Sequence, residues 1–330
     1  MYISAPTLDD LLRQVFERLL LGTNHINPSR GEATELTGIL LEVQNPRARL
    51  SRTETRGQLF SCLGELLWYL AKTNGLGFIK YYLKPYQEDS EDNQTIYGGY
   101  GPRLFDMRGH DQVANVLTLL RRNTESRRAV IQLFDAADIS RQRKEIPCTC
   151  TLQFMIRRGR LHLFTNMRSN DVFLGLPHDV FAFTMIQEVM ARSLGVKLGR
   201  YKHAVGSLHL YDIKREKAQR YLDEGYQSTV FMPAMPVGDP WPSITILLEA
   251  ESAIRSGRDL QISDLELDPY WADLVRLLQI LAKYKSRDRE EIERLKDEMF
   301  SDVYRTYIDK KRIMKKVDEK TSEQLLLIRD

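Results

Sequence analysis

Apolar residues recur at helical spacing near the start of the chain. Leu11, Leu12, Val15, Phe16, Leu19 and Leu20 follow Thr7, Asp9 and Asp10, and the run stops at Gly22 and Asn24. A hydroxyl residue ahead of acidic first-turn positions caps a helix, so a helix is expected here. Residues 24–35 are polar, with Pro28, Arg30 and Gly31, and read as a loop. Thr37 to Val43 reads as a strand. From about Gln58 to Ala71, Leu63, Leu66, Leu67, Trp68 and Leu70 cover most of a helix circumference, which predicts burial. Glu65 inside that helix then needs a reason, because an unpaired buried carboxylate is costly.

Residues 84–103 read as a polar, glycine-rich loop that ends in Tyr97-Gly98-Gly99-Tyr100-Gly101-Pro102. Asp111 to Arg122 has helical period. Three strand-like runs follow, Ala129–Phe134, Thr151–Ile156 and Leu161–Asn166, with Arg158-Gly159 as a hairpin turn between the last two. Pro177 opens a helix that runs through Ser193, and Tyr201–Tyr211 is a further strand. The mixture predicts an α+β fold: a mixed sheet packed by helices, with a C-terminal helical extension.

The character changes near residue 236. Pro236, Pro240 and Pro242 punctuate the chain, and from Tyr270 the period is helical, with Leu274, Leu277, Leu278 and Leu281 on one stripe. The dense charges from Arg287 to Lys320 read as a solvated amphipathic helix lying on the core or on a dimer partner. The expected organisation is a catalytic domain over residues 1–235 and a largely helical segment over 236–330.

Composition narrows the class. With 48 basic and 45 acidic residues among 330, the net charge of +3 indicates no polyanion partner, and the tail charges alternate in sign. A nucleic-acid role is therefore not expected. Cys62, Cys148 and Cys150 are too few for a disulfide framework, and no His/Cys cluster has metal-ligand spacing. No apolar run approaches the roughly 20 residues that span a bilayer. The opening Met-Tyr-Ile-Ser-Ala-Pro-Thr lacks a signal-peptide layout, so a cytoplasmic protein with no metal and no membrane partner is expected.

The chemistry concentrates in two stretches. Pro147-Cys148 places a thiol at the start of a strand, where it can face a cleft. One hairpin later comes Arg168-Ser169-Asn170-Asp171-Val172-Phe173-Leu174-Gly175-Leu176-Pro177-His178-Asp179. The cysteine is a candidate nucleophile, Arg168 and Ser169 a candidate phosphate grip, and Asp179 a candidate reader of a base edge.

Glu65-Leu66-Leu67-Trp68, Tyr97-Gly98, Ser126-Arg127-Arg128, Pro147-Cys148, the Arg168–Pro177 block and His209-Leu210-Tyr211 occur in that order. Over roughly residues 8–235 this resembles the thymidylate synthase family. The resemblance implies that Cys148 attacks C6 of a pyrimidine nucleoside monophosphate, so that C5 can take a one-carbon unit from 5,10-methylenetetrahydrofolate. It implies that Arg168 and Ser169 hold the phosphate, joined by Arg127 and Arg128 from the second subunit of a homodimer. Arg30 matches a further phosphate arginine, although its local spacing departs from the family pattern. His209 and Tyr211 match sugar-hydroxyl contacts, Glu65 the carboxylate that organises water near the base, and Tyr97 the tyrosine that assists proton removal from C5. Asp171 and Gly175 match positions near base and folate.

The departures are also informative. The synthases carry asparagine where this chain has Asp179, and an amide matches both O4 and N3–H of uracil. A carboxylate would set acceptor against O4, which costs several kcal/mol in a closed site. Cytosine instead offers N4–H, with a proton shared between the acid and N3. Members with aspartate here are the deoxycytidylate hydroxymethylases and a related cytidylate hydroxymethylase, in which water adds to the C5 methylene where a synthase delivers hydride. Thr149 replaces the histidine after the nucleophile, and the tryptophans expected before the tyrosine are missing, with Tyr81 and Tyr82 in that stretch. The short apolar tail that seals the synthases is replaced by a charged helical region. The expected activity is hydroxymethylation of CMP or dCMP. The alternatives are reductive C5 methylation of dUMP or dCMP and a silent nucleotide-binding member.

Overall fold

The computed structural model describes residues 1–309 apart from Ser29, Glu54, Arg56 and Gly57. The chain opens with β1 (Tyr2–Ala5) and α1 (Leu8–Leu21). Thr7 caps α1 by accepting from the Asp10 N–H at 3.1 Å, and Leu8, Leu11, Leu12, Val15, Phe16 and Leu19 are buried along one stripe. Next come β2 (His25–Ile26) and β3 (Ala33–Val43), which turn part of the expected 24–35 loop into an antiparallel pairing. Then α2 (Leu59–Leu70), α3 (Leu76–Tyr82), α4 (Tyr86–Asp89), α5 (Tyr100–Phe105) and α6 (Gln112–Arg122) follow. The expected 84–103 loop thus holds the short helix α4 and the start of α5.

The strands β4 (Val130–Gln132), β5 (Thr149–Arg157) and β6 (Arg160–Asp171) lie where the alternation placed them. Arg158 and Gly159 both have positive φ, 51° and 68°, the mirror-image turn that joins twisted strands tightly. After β6 come α7 (Gly175–Ser193), β7 (Lys197–Tyr211), α8 (Arg215–Asp223), α9 (Trp241–Arg255), α10 (Pro269–Ser286) and α11 (Arg289–Asp297).

Among the described residues the sheet has seven strands in the order β1-β3-β7-β6-β5-β4, with β2 against β3. β6 and β7 run parallel and the β5–β6 pair antiparallel, so the sheet is mixed. α7 is buried along almost its whole length, from Leu176 to Ala191 on most positions, and packs against β6, β7 and α2. That helix and α2 make the centre of the core, as expected of helices apolar on most sides.

α9 was not legible as a helix, yet it starts at Trp241 with Pro242 in its first turn, where a missing N–H costs nothing. α9 and α10 pack on α2. The single charged helix expected over 287–320 is corrected. Arg287 adopts a left-handed conformation at φ 63° that ends α10, α11 stops at Asp297, and residues 310–320 lie outside the described residues. A buried pair, Arg49 Nη2 to Glu188 Oε2 at 2.5 Å, holds α7, and Glu188 Oε1 accepts from the Met235 N–H at 3.0 Å. No helix among the described residues is long and apolar enough to cross a membrane.

Candidate active site

Cys148 immediately precedes β5 and is half-buried. Two interactions fix the backbone around it. The Thr149 N–H donates to the Tyr100 hydroxyl at 3.1 Å, and the Arg168 N–H donates to the Cys148 carbonyl at 2.9 Å. A register shift between Thr149 and Thr151 in β5 bends the strand at this end. Arg168 arches over the loop, its Nε donating to the Pro147 carbonyl at 2.9 Å and its Nη2 to that of Ile146 at 3.1 Å. The same Nη2 lies 3.6 Å from Cys148 Sγ. Burial pushes the thiol up to about 11; Arg168 opposes that shift, while Asp179 and Glu145 add to it.

β6 and β7 lay out the next group by their parallel register. Asp171 stands opposite His209, and Ser169 opposite Ser207. His209 is buried with its Nδ1 unpartnered among the described residues, and its ring meets Tyr211 edge-on at 4.9 Å. Burial raises the Tyr211 phenol, followed by Asp171, with Arg30 opposing. Arg30 is exposed and paired to Asp89 at 2.5 Å. Arg30, Asp171, Tyr211 and Cys148 therefore share one electrostatic neighbourhood.

The other end of the cluster is acidic. Asp179, one turn into α7, has its Oδ2 bonded by Asn170 Nδ2 at 3.1 Å. Burial holds this carboxyl well above the usual carboxylate range, Glu65 reinforces the shift, and the Asn170 bond opposes it. Glu65 is buried on α2 and accepts from the Tyr86 hydroxyl at 2.5 Å, which supplies the partner its position demanded. Gly175 sits beneath Asn170: a Cβ there would come 2.7 Å from Asn170 Oδ1, so any larger residue would force the Asn170 amide to shift.

Not every expected residue joins this cluster. Tyr97 is half-buried under the Arg143 guanidinium, 3.3 Å from its ring centroid, with Arg103 at 5.2 Å on the ring. Arg127 and Arg128 are exposed on the segment leading into β4, and among the described residues neither makes an ion pair. Within one chain no described contact ties them to Cys148.

Sequence reasoning missed Tyr86, Tyr100, Glu145 and the Asn170–His203 contact. Glu145 accepts from the Gly98 N–H at 3.1 Å, and burial raises its carboxyl, with Asp89 adding to the shift. Its place three residues before Cys148 was the available signal. For Tyr86 the sequence offers none.

A separate cleft of about 1100 Å³ lies among α9, α10 and α11, lined by Tyr81, Arg258, Lys283 and Lys285 among others. It contains none of the residues around Cys148. Among the described residues no group of three His, Cys, Asp or Glu side chains could hold a metal ion.

Cys148, Arg168, the β6–β7 polar row and the half-buried Asp179 thus share one neighbourhood. The family model described as Thymidylate synthase matches residues 35–272, most of the chain. The protein belongs to the thymidylate synthase family, in which a folate-dependent one-carbon transfer is made to C5 of a pyrimidine nucleotide.

Proposed function

We propose that this enzyme hydroxymethylates C5 of a cytosine nucleotide, CMP or dCMP, as a homodimer. The observation that carries the reading is Asp179, a carboxyl pressed toward its acid form by burial and by Glu65. An acid presents one donor and one acceptor, which complement N3 and N4–H of cytosine when its hydroxyl faces N3 and its carbonyl oxygen faces N4–H.

In this reading Cys148 Sγ bonds to C6, and Arg168, 3.6 Å away, favours the thiolate that must form first. Arg168 and Ser169 also hold the phosphate, with Arg30 and the partner's copies of Arg127 and Arg128. Forked guanidiniums suit a phosphate dianion. His209, whose buried Nδ1 is unpartnered among the described residues, and Tyr211 hold the sugar. Methylenetetrahydrofolate supplies a one-carbon unit at the oxidation level of formaldehyde. The half-buried Asp171 carboxylate and the exposed apolar Leu174, 44% accessible, fit the polar edge and flat ring of such a group. Loss of the C5 proton, the step the family resemblance gives to Tyr97, would release tetrahydrofolate and leave an exocyclic methylene, and Glu65, held by Tyr86, orders the water that adds to it. Cys148 then leaves C6.

Competition between dCMP and dUMP tests the base assignment. The natural chain is expected to prefer dCMP, and Asp179→Asn to move preference toward dUMP by about 10²–10⁴-fold, since a buried polar mismatch discriminates on that scale. Unchanged dCMP preference in the variant would sink the base-reading argument.

A further inference from the structure

The acid form of Asp179 does not select cytosine by itself. Its O–H and C=O can exchange places, and the exchanged form pairs as well with O4 and N3–H of uracil. Discrimination therefore requires that one oxygen be fixed as the acceptor. The surroundings of Asp179 contain a device that does so.

Asn170 Nδ2 has two hydrogens. The nitrogen lies 3.1 Å from Asp179 Oδ2, 3.0 Å from His203 Nε2 and 3.0 Å from Met167 Sδ, of which the sulfur is the weakest acceptor. His203 Nδ1 lies 2.6 Å from the Tyr201 hydroxyl. Burial lowers the His203 imidazole to about 3, so the ring is neutral and one nitrogen is an acceptor. The relay uses the tautomer in which Nε2 accepts from Asn170, and in that tautomer Nδ1 carries the proton and donates to Tyr201. All three residues are buried: Asn170 3%, His203 1% and Tyr201 0% accessible. They come from two strands, β6 and β7, whereas Asp179 belongs to α7, so sheet and helix meet through this line of bonds. Gly175 leaves room for Asn170 in this orientation, as its missing Cβ shows.

We propose that Asn170, His203 and Tyr201 form a positioning relay that fixes Asp179 Oδ2 as the acceptor and Oδ1 as the proton carrier, and so sets the preference for cytosine over uracil. The inference rests on the reading of Asp179 as the base-facing group. A donor bonded to Oδ2 biases the proton toward Oδ1, because the hydroxyl oxygen of an acid is a weaker acceptor than its carbonyl oxygen. The proton stays on Oδ1, ready for N3, and Oδ2 keeps acceptor capacity for N4–H. In the tautomer with the proton on Nδ1, the Nε2 lone pair of His203 opposes turning the Asn170 carbonyl toward Asp179, since that would place acceptor against acceptor. The other titratable groups around Asp179 are Glu65 and Tyr69 of α2, Tyr100 of α5 and Cys148. None of these bonds to it directly in the hydrogen-bond network described.

The test compares kcat/KM for dCMP and dUMP with methylenetetrahydrofolate, and the Kd of each nucleotide alone by calorimetry. The variants are Asn170→Ala, His203→Phe, His203→Gln, Tyr201→Phe and Asp179→Asn in the full chain. Asn170→Ala and His203→Phe are expected to lower the dCMP/dUMP ratio by about tenfold or more, in both readouts. Tyr201→Phe, which removes one oxygen, is expected to lower it about threefold. His203→Gln retains an acceptor and is expected to restore most of the ratio lost in His203→Phe. An equal loss for both nucleotides in these variants, or no change in ratio, would overturn the relay. If the two larger changes prevent folding, Tyr201→Phe decides alone by the same criterion. Should Asp179→Asn abolish the preference while the relay variants keep it, only the relay fails. Should Asp179→Asn keep the preference, the base reading fails and the relay with it.

Discussion

The two ends of the active site hold their charges in opposite ways. At the Arg168 end the cations are exposed, and their donors rest on replaceable partners: the carbonyls of Ile146 and Pro147 for Arg168, and Asp89 for Arg30. At the Asp179 end the polar groups are buried or half-buried and bonded to one another, Asp179 to Asn170 and Glu65 to Tyr86. The first arrangement suits binding by charge, which tolerates small movements. The second suits reading a pattern of donors and acceptors, in which one misplaced hydrogen leaves a buried group unpaired. In the proposed reading, affinity and base choice fall to different ends, with Cys148 between them.

The largest expected effect falls on that middle point. Cys148→Ser is expected to reduce turnover by about 10⁴-fold or more while nucleotide binding persists at both ends. Single-turnover assays with calorimetry on the same samples check this, and undiminished turnover would refute the nucleophile. Next in size, Arg168→Ala should weaken dCMP and dUMP alike by about 10²-fold, the scale of a lost charge-assisted pair. It should leave their ratio unchanged. It should also slow alkylation of Cys148, since the thiol is already pushed up to about 11 by burial and would lose its opposing cation. A change in the dCMP/dUMP ratio would mean that the two ends are not separable.

The smallest effect concerns stability. The Asp179 carboxyl is held above its ordinary 3.8, so the folded protein keeps that proton to higher pH than the unfolded chain. Stability from this group is complete below 3.8 and is lost as pH rises through the raised folded value. Asp179→Asn removes the penalty. Its melting temperature should exceed that of the natural chain at pH 8, with the gain shrinking toward pH 4. A gain independent of pH would show that Asp179 is not a strained acid.

Most of the framework was legible because it is local. Period-2 alternation and the Arg158-Gly159 turn located β5 and β6, and the apolar circumference of α2 foretold that Glu65 would be buried. Three features escaped. Pro240 and Pro242 read as punctuation, yet Pro242 occupies a first helical turn. The charge run after Arg287 hid a chain reversal at a left-handed residue that carries no glycine signal. The contact of Asn170 with His203 was out of reach for a different reason. Asn170 and His203 are 33 residues apart and meet only because the parallel pairing of β6 and β7 brings their strands together. Linear spacing does not encode such contacts. Cys148 and Asp179 were visible as residue types in an ordered set of motifs, whereas the bonds around them belong to the tertiary structure.

The most direct test is mass spectrometry of the products from CMP, dCMP, UMP and dUMP, each incubated with the full-length protein and methylenetetrahydrofolate. The account predicts a hydroxymethyl adduct on a cytosine nucleotide, with the CMP-to-dCMP ratio defining the sugar. A methyl adduct with dihydrofolate appearing, or product formed only from uracil nucleotides, would contradict it.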